Sequence, residues 1–253
     1  MEEATGSNPL GLMAGADRNL GQDAAGRLEK YAARRLGGEP VSRILGRSGF
    51  YGLDLHIGPD VLDPRADTET LVNIALAKLN SKELANPHIL DLGTGSGAIL
   101  SALLDAREDA FGVGVDISAT ACARARQNLA HCGFSDRSSV ICGDWTRALR
   151  GQFDLIVSNP PYISQSELAA LDREVIAFDP ILALDGGTDG LDPYRWIAPE
   201  LNRLLRPGGA ACLEIGWRQA ADVTQILKDA GFREARISTD CGGRDRVVAV
   251  DAP

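Results

Sequence analysis

From residue 88 onward, short apolar runs alternate with stretches of helical periodicity, and this alternation restricts the possible folds more than any other feature. Helical stretches at 118–130 and 217–230 separate some of the runs. The apolar runs are 88–92, 111–115, 139–142, 153–157, 210–215, 235–238 and 246–250. Apolar strands that alternate with helices predict a parallel sheet covered by helices on both faces. Because only residues 239–245 separate the last two runs, we expect those runs to pair as an antiparallel hairpin at the sheet edge.

The residues ahead of this region predict smaller elements. Apolar residues at helical spacing between 17 and 36 predict a helix, which the following pair of glycines ends. Apolar and polar residues alternate across 49–64 and predict a β-hairpin that turns at Gly58-Pro59-Asp60. Acidic residues near Asp67 predict the start of a helix that continues to about Leu79.

Composition and charge exclude several classes of function. The chain has 253 residues and a formal net charge of −9, which argues against a nucleic acid as the main partner. The five cysteines and three histidines lack the spacing of a zinc site or a disulfide framework, so we expect reduced thiols and no metal. Neither a membrane-spanning apolar run nor a signal peptide is evident, which predicts a soluble cytoplasmic protein without a membrane partner.

A glycine-rich loop follows the first predicted strand. Its sequence is Asp91-Leu92-Gly93-Thr94-Gly95-Ser96-Gly97, directly before a helical stretch. Glycines allow a tight turn and close approach of a ligand, and a helix N-terminus offers free N–H groups. The loop satisfies the dinucleotide pattern G-x-G-x-x-A, but it lacks the Lys-Ser/Thr pair of a Walker loop. By itself the loop therefore leaves a NAD site, another nucleoside site and a plain packing turn open.

The next two predicted strands end in residues suited to a nucleoside. Asp116 can accept hydrogen bonds from two ribose hydroxyls, an interaction worth roughly 1.5–3 kcal/mol. Trp145, in Gly143-Asp144-Trp145, offers an indole face to an adenine. Open α/β sheets bind ligands at the carboxyl ends of their strands, so these residues predict a nucleoside cofactor there. Asp91 favours S-adenosylmethionine, since a carboxylate suits an ammonium and a sulfonium better than a pyrophosphate.

The fourth predicted strand ends in Asn159-Pro160-Pro161-Tyr162, which resembles the Asn-Pro-Pro-Tyr methyltransferases that act on conjugated nitrogens. Such a nitrogen is a poor nucleophile because its lone pair is delocalised. The Asn side-chain oxygen and the following carbonyl can accept its two N–H groups and turn the lone pair toward the methyl group. The prolines stiffen the turn and Tyr162 offers a flat wall for a planar group. Such alignment supplies several kcal/mol, up to roughly 7–11 in ideal cases.

A wider resemblance covers most of the chain from about Gly38 to Val250: the sequence is similar to the release factor glutamine methyltransferases of the HemK family. Matching stretches are 38–46, 50–53, 62–69, 91–97, 143–145, 159–163, 178–180, 183–184, 187–191, 213–216 and 244–247. Adenine methyltransferases of DNA share the Asn-Pro-Pro-Tyr turn. The Pro-Arg-x-x-Thr-Glu segment at 64–69 is more particular to this family.

This resemblance implies methyl transfer from S-adenosyl-L-methionine, with S-adenosyl-L-homocysteine as product, to the glutamine amide of the Gly-Gly-Gln loop in class 1 peptide chain release factors. By position it implies that Asn159, Pro160 and Tyr162 are catalytic. The implied cofactor-binding residues are Asp91, Gly93, Thr94, Gly95, Ser96, Gly97, Asp116, Trp145 and Asn159. The implied substrate-binding residues are Asn159, Pro160, Pro161, Tyr162, Arg65 and Glu69. For Arg65 and Glu69, a surface ion pair at the start of a helix is an equal alternative.

The predicted fold class is α/β: a seven-stranded Rossmann-like class I methyltransferase sheet with an antiparallel edge hairpin, a small N-terminal helical segment and a β-hairpin. The predicted division is 1–46 for a short helical substrate-docking segment, 47–66 for the linking hairpin and 67–253 for the catalytic domain. The docking segment is shorter than is usual in the family. Glutamine methylation of a ribosomal protein, methylation of adenine in DNA and a non-catalytic nucleoside-binding role remain alternatives.

Overall fold

The computed structural model describes residues 2–5, 21–82 and 84–252. Its first elements are three helices, α1 (Glu2–Thr5), α2 (Gln22–Leu36) and α3 (Val41–Leu45). Helix α2 confirms the predicted N-terminal helix from residue 22 onward, whereas residues 17–20 of that prediction lie outside the described residues. The helix ends at Leu36 with Gly37 as its C-cap, and Gly38 adopts a φ of 90°, as the glycine pair predicts.

The central sheet has seven strands and confirms the predicted fold class. The strands of this sheet are β3 (His88–Leu92), β4 (Phe111–Asp116), β5 (Ser138–Cys142), β6 (Phe153–Ser158), β7 (Leu205–Glu214), β8 (Ala235–Thr239) and β9 (Asp245–Asp251). They lie in the order β5-β4-β3-β6-β7-β9-β8. The first five strands in this order are parallel to one another, whereas β9 is antiparallel to both β7 and β8. The last two strands therefore form the predicted hairpin at the edge.

Helices cover both faces of the sheet. The helices that follow α3 are α4 (Glu69–Asn80), α5 (Ala98–Ala106), α6 (Ala119–His131), α7 (Gln165–Leu168), α8 (Arg173–Phe178), α9 (Asp192–Leu204) and α10 (Ala220–Asp229). Helices α4, α5 and α6 pack on one face, and α9 and α10 pack on the other. Among the described residues, none of the helices combines the length and hydropathy that crossing a membrane requires.

Alternation along each strand divides the core into two apolar layers. In β3, Ile89 packs into the layer under α4–α6, whereas Leu90 and Leu92 pack into the layer under α9 and α10. Because successive strand residues point to opposite faces, a strand between two helix layers must be apolar throughout. Every residue of β6 is accordingly buried. Burying one such aliphatic side chain contributes about 1.5–3 kcal/mol.

The small hairpin corrects one prediction. Strands β1 (Arg47–Phe50) and β2 (Leu53–His56) are joined at Tyr51-Gly52, not at Gly58-Pro59-Asp60. Both turn residues have positive φ, 50° and 81°, which is the conformation of a tight two-residue hairpin turn. Glu69 accepts the Tyr51 N–H at 3.0 Å and Asn73 accepts its hydroxyl at 2.9 Å, so α4 holds the turn in place. The Gly-Pro-Asp segment instead leads the chain toward the carboxyl edge of the sheet.

Candidate active site

A cavity of about 690 Å³ opens at the carboxyl edge of the sheet. The chain leaves β3 toward β4 on one side, and β6 lies on the other side of β3, so the strand order reverses at this point. Such a switch point is where open α/β sheets bind ligands, and the volume lies within the roughly 300–1,000 Å³ of small-molecule sites. The predicted site residues that line the cavity are Arg65, Gly93, Thr94, Gly95, Ser96, Asp116, Trp145, Asn159 and Pro161.

The glycine-rich loop forms the floor of the cavity. The N–H groups of Gly93 and Thr94 both donate to the Val115 carbonyl, at 2.8 and 2.9 Å, which ties the loop to the end of β4. Gly93, Gly95 and Gly97 have φ values of 71°, 54° and 77°. Side chains other than glycine rarely adopt this conformation. Gly97 is also the N-cap of α5, so the loop turns directly into a helix N-terminus.

Asp116 places a carboxylate on the cavity wall. One oxygen accepts the Gly95 N–H at 2.9 Å and the other accepts the Ser118 N–H at 2.9 Å. These bonds fix the carboxylate while leaving each oxygen a further lone pair. Burial raises the pKa of Asp116, and the bonds from Ser118 and Gly95 oppose that rise. The group can therefore accept hydrogen bonds from a ligand in the cavity.

Trp145 lies opposite the glycine-rich loop. The backbone of Trp145 adopts a φ of 47°, an uncommon conformation for a residue with a large side chain. A Cβ atom built on Gly93 would meet the indole ring at 3.6 Å, so the ring stands directly against the loop. Asp144 also lines the cavity and forms an ion pair with Arg147 at 2.7 Å. The wall thus combines a flat apolar ring with polar groups at its margin.

Asp91 lies beneath the loop, not among the residues that line the cavity. Its side chain is fully buried, and the Thr94 hydroxyl donates to Oδ2 at 2.7 Å. The other oxygen, Oδ1, is buried without a hydrogen-bond partner. Burial raises the pKa of Asp91 from 3.8 to about 7, and the negative charge of Asp116 adds to the rise. Asp91 therefore supports the loop from below through Thr94.

We expect the stabilising effect of Asp91→Asn to grow with pH. The unfolded chain ionises Asp91 near pH 3.8 whereas the folded chain keeps its proton to about pH 7. The folded state thus binds more protons across this window, and the contribution of Asp91 to stability falls as the pH rises through it. The difference in Tm between variant and wild type should be larger at about pH 8 than at about pH 5. Equal differences at both pH values would contradict this expectation, and the exposed Asp136→Asn is the control.

The Asn-Pro-Pro-Tyr turn follows β6 at the mouth of the cavity. Asn159 and Pro161 line the cavity, whereas Pro160 and Tyr162 do not. The Asn159 amide donates from Nδ2 to the Thr68 hydroxyl at 3.2 Å, which directs its carbonyl oxygen away from Thr68. The Tyr162 ring packs against the core layer under α9 and α10, and burial raises the pKa of its hydroxyl to about 12. A hydroxyl with that pKa remains neutral at physiological pH.

A second loop holds this turn from behind. Ile163 donates to the Leu184 carbonyl at 3.0 Å and accepts from the Gly186 N–H at 2.9 Å. Gln219 donates from Nε2 to the Tyr162 carbonyl at 2.9 Å. Gly190, in the same loop, has a φ of 78° and packs directly on that carbonyl. The position of the turn therefore depends on contacts with residues more than twenty positions away.

We expect Gly190→Ala to lower both stability and activity. A Cβ atom at this residue would overlap the Tyr162 carbonyl oxygen and the Gln219 amide, in addition to the strain of positive φ. Overpacking of this kind costs about 1–3 kcal/mol, and the turn has to move to relieve it. Thermal unfolding measures the first effect, and an assay of the methyl transfer expected from the sequence measures the second. Gly133→Ala is the matched control because its φ is 83° but open space surrounds the new Cβ; equal losses in both variants would rule out the packing explanation.

Arg65 and Glu69 do not pair with each other. Arg65 forms an ion pair with Asp179 at 2.6 Å, and Asp179 also pairs with the buried Arg43 at 2.8 Å. Glu69 accepts the Tyr51 N–H and lies outside the cavity lining. The alternative interpretation, an ion pair between Arg65 and Glu69 at the start of the helix, is therefore wrong. Arg65 and Arg43 instead join the N-terminal part of the chain to Asp179, directly after α8.

Sequence reasoning missed several residues of the site. Thr68, which contacts Asn159, lies inside the Pro-Arg-x-x-Thr-Glu segment, but the sequence pattern alone gives no role for it. Leu182 and Trp196 line the cavity although their side chains remain exposed. Exposed apolar side chains at the rim of a polar-edged cavity are typical of a binding surface, and no local pattern predicts them.

Comparisons with known proteins show sequence similarity along most of the chain. Residues 67–178 match the family model described as Methyltransferase small domain, and residues 1–46 match the one described as PrmC N-terminal domain. A release factor glutamine methyltransferase of Rhodospirillum rubrum is 48% identical over 243 residues, 96% of this chain and 74% of that protein. Its counterpart in Bradyrhizobium diazoefficiens is 47% identical over 97% of this chain and 84% of that protein.

Solved structures share the fold at low sequence identity. The hMettl16 catalytic domain superposes with a TM-score of 0.64 at 16% identity, over 80% of this chain and 76% of that one. The Thermus thermophilus 16S rRNA N2 G1207 methyltransferase, solved with AdoMet and guanosine, gives a TM-score of 0.58 at 19% identity, over 82% of this chain and 50% of that one. These similarities extend to the architecture of the sheet and its helices.

Proposed function

Because the chain belongs to the family of release factor glutamine methyltransferases, we propose the following reaction for it. It is an S-adenosylmethionine-dependent methyltransferase. Its substrate is the glutamine of the Gly-Gly-Gln loop in class 1 peptide chain release factors, and the methyl group goes to the side-chain amide nitrogen. One observation carries this proposal: the Asn159 amide lies at the mouth of the cavity with its Nδ2 engaged by Thr68, so its oxygen is available to an N–H donor.

The residues around the cavity fit S-adenosylmethionine. The Asp116 carboxylate has free lone pairs for two ribose hydroxyls, and the Trp145 indole offers a face for the adenine. The loop Gly93–Gly97 brings backbone close to the ligand without side chains in the way. When bound, the cofactor supplies an electrophilic methyl carbon on a sulfonium. The direct contact between Asp91 and the cofactor stays a prediction. In the structure, Asp91 Oδ1 is buried and has no hydrogen-bond partner.

The Asn-Pro-Pro-Tyr turn is proposed to align the glutamine nitrogen. The oxygen of Asn159 accepts one N–H of the substrate amide and the Pro160 carbonyl accepts the other, which turns the nitrogen lone pair toward the methyl carbon. Pro161, which has no N–H, keeps the turn rigid. The neutral Tyr162 supports the turn from the core and does not act as a base. The amide needs no strong base because its proton leaves after the nitrogen has gained the methyl group.

Docking of the release factor is proposed to involve the N-terminal segment 1–46, followed by the hairpin and the catalytic domain from residue 67. The match of residues 1–46 to the PrmC N-terminal domain supports this division. Arg65 is proposed to bind the substrate, and its position in the lining of the cavity, which also includes the exposed Leu182, supports this role. Release factors are cytoplasmic partners in this proposal, and no nucleic acid or membrane takes part.

A parallel labelling experiment tests the proposal. The protein is incubated with S-adenosylmethionine that carries a labelled methyl group, together with a class 1 release factor, a mixture of ribosomal proteins or duplex DNA. We expect label in the release factor, and we expect its loss when alanine replaces the glutamine of the Gly-Gly-Gln loop. Label in a ribosomal protein or in DNA, with none in the release factor, would overturn the assignment.

A further inference from the structure

A chain of polar side chains lies behind the Asn-Pro-Pro-Tyr turn, in the core of the protein. Thr68, which accepts from Asn159 Nδ2 at 3.2 Å, stands directly before α4. Glu214 ends β7, the strand that pairs with β6 just before the turn. It is 2% exposed, and its Oε2 is buried without a hydrogen-bond partner. A buried carboxylate oxygen without a donor costs free energy, so its retention here needs an explanation.

The positions of these groups complement one another. The hydroxyls of Thr68 and Tyr162 lie close enough to the Glu214 carboxylate to lower its pKa against the effect of burial. A threonine hydroxyl has one hydrogen to donate and can accept as well, whereas an ionised carboxylate can only accept. If Thr68 gives its hydrogen to Glu214, its oxygen is left as an acceptor for Asn159. The Asn159 side chain must then present Nδ2 to Thr68 and its oxygen to the substrate.

We propose that Glu214 is a positioning residue: through Thr68 it fixes the orientation of the Asn159 amide, so that the oxygen of Asn159 faces the substrate glutamine. An asparagine amide has nearly the same shape in its two orientations, and shape alone does not choose between them. The orientation matters because a flipped Asn159 amide presents its NH₂ group to the substrate. The N–H groups of the substrate are donors themselves and need an acceptor. This inference rests on the proposed methyl transfer and deepens it, because it assigns a role to two residues outside the turn.

The charges around Glu214 are compatible with this role. Arg246 on β9 lies near the carboxylate but directs its guanidinium to Asp240 at 3.1 Å and to Asp67 at 3.3 Å. Tyr162 and Tyr194 also approach Glu214, and the Tyr194 hydroxyl donates to the Glu214 backbone carbonyl at 2.8 Å. No described residue forms an ion pair with the Glu214 carboxylate, so it remains free to accept from Thr68.

This arrangement makes the orientation sensitive to pH. Burial raises the pKa of Glu214 to about 7, while Thr68, Arg246 and Tyr162 oppose the rise and Asp67 adds to it. A protonated carboxyl can donate to Thr68, which would allow Thr68 to donate to Asn159 and reverse the amide. Turnover should therefore fall as the pH drops below about 7. Asp91 titrates in the same range, so the comparison of wild type with Glu214→Gln isolates this group.

Four variants test the inference in the full chain. Thr68→Val keeps the shape of the side chain but removes the hydroxyl. Glu214→Gln replaces a carboxylate, which when ionised only accepts hydrogen bonds, by an amide that can also donate to Thr68. We expect both to lower kcat for the release factor about 10- to 100-fold with little change in KM for the cofactor. Thr68→Ser restores the hydroxyl and should recover most of the rate. Thr224→Val is the matched control because the buried Thr224 hydroxyl has no hydrogen-bond partner, so the same substitution breaks no bond there.

A second readout needs no release factor. The side-chain amide signals of Asn159 are identified in a ¹⁵N NMR spectrum by their absence in Asn159→Ala. We expect these signals to shift and to exchange faster in Thr68→Val and Glu214→Gln but not in Thr224→Val. Unchanged signals would overturn the inference even if the enzyme methylates release factors. If the wild type fails to methylate them while the signals shift as expected, the proposed substrate is wrong and the positioning role stands.

The pH profile supplies the remaining distinction. In wild type, kcat should rise through about pH 7, and Glu214→Gln should lose the part of this rise that Glu214 causes. A purely structural role for Glu214 would lower Tm but leave the profile unchanged. An acid limb that is identical in wild type and Glu214→Gln would therefore contradict the positioning role.

Discussion

Replacing Asn159 by alanine is expected to reduce kcat for methyl transfer to a release factor about 10²- to 10³-fold. The variant loses the oxygen that we propose accepts an N–H of the glutamine amide in the transition state. Removal of one such aligned acceptor or donor from a preorganised site has effects of this size elsewhere. The cofactor dissociation constant should change by much less, because Asp116 and Trp145 remain on the cavity wall. Single-turnover assays with labelled S-adenosylmethionine measure the rate.

The control for this variant is Asn202→Ala. Asn202 is exposed, donates from Nδ2 to the Ala230 carbonyl at 2.6 Å, and is not among the residues that line the cavity. We expect its turnover to match wild type, with at most a modest loss of Tm. If Asn159→Ala retains turnover within about threefold of wild type, Asn159 does not align the substrate nitrogen.

Asp116→Ala is expected to weaken binding of S-adenosylhomocysteine about 10- to 150-fold, from the loss of charge-assisted bonds of roughly 1.5–3 kcal/mol. Two features of the Asp116 side chain support this expectation. It fixes the glycine-rich loop through the Gly95 N–H, and its remaining lone pairs face the cavity. Asp116→Asn should fall between wild type and Asp116→Ala, because the amide keeps one acceptor oxygen but lacks the charge.

Isothermal titration calorimetry with S-adenosylhomocysteine measures this effect without any release factor. Asp136→Ala is a suitable control, because Asp136 is an exposed acidic residue in the turn before β5. It preserves the change in net charge and should leave the dissociation constant unchanged. Similar affinities for the Asp116 and Asp136 variants would show that no ligand hydroxyl depends on Asp116.

Local sequence patterns identified most of the secondary structure. Apolar runs such as 153–157 predict buried strands because a strand between two helix layers must be apolar on both faces, and β6 is buried throughout. The short connection at 239–245 predicts an antiparallel pair because it leaves no room for a crossover helix. The hairpin turn was misplaced because Gly-Pro-Asp is a stronger local turn signal than Tyr51-Gly52. Contacts from α4 hold Tyr51 in its positive φ, and these are tertiary.

The sequence alone determined the strands of the central sheet, their direction and the edge of the sheet that carries the candidate site, because these follow from periodicity, glycines and chain connectivity. Only the tertiary structure decided which groups meet. Asp91 and Asp116 both lie at the ends of neighbouring strands, yet Asp91 is sealed beneath the loop and Asp116 faces the cavity. Thr68 meets Asn159 across 91 residues and Arg65 meets Asp179 across 114. Burial and such distant contacts depend on how helices and loops pack on the sheet, and no local pattern of residues contains that information.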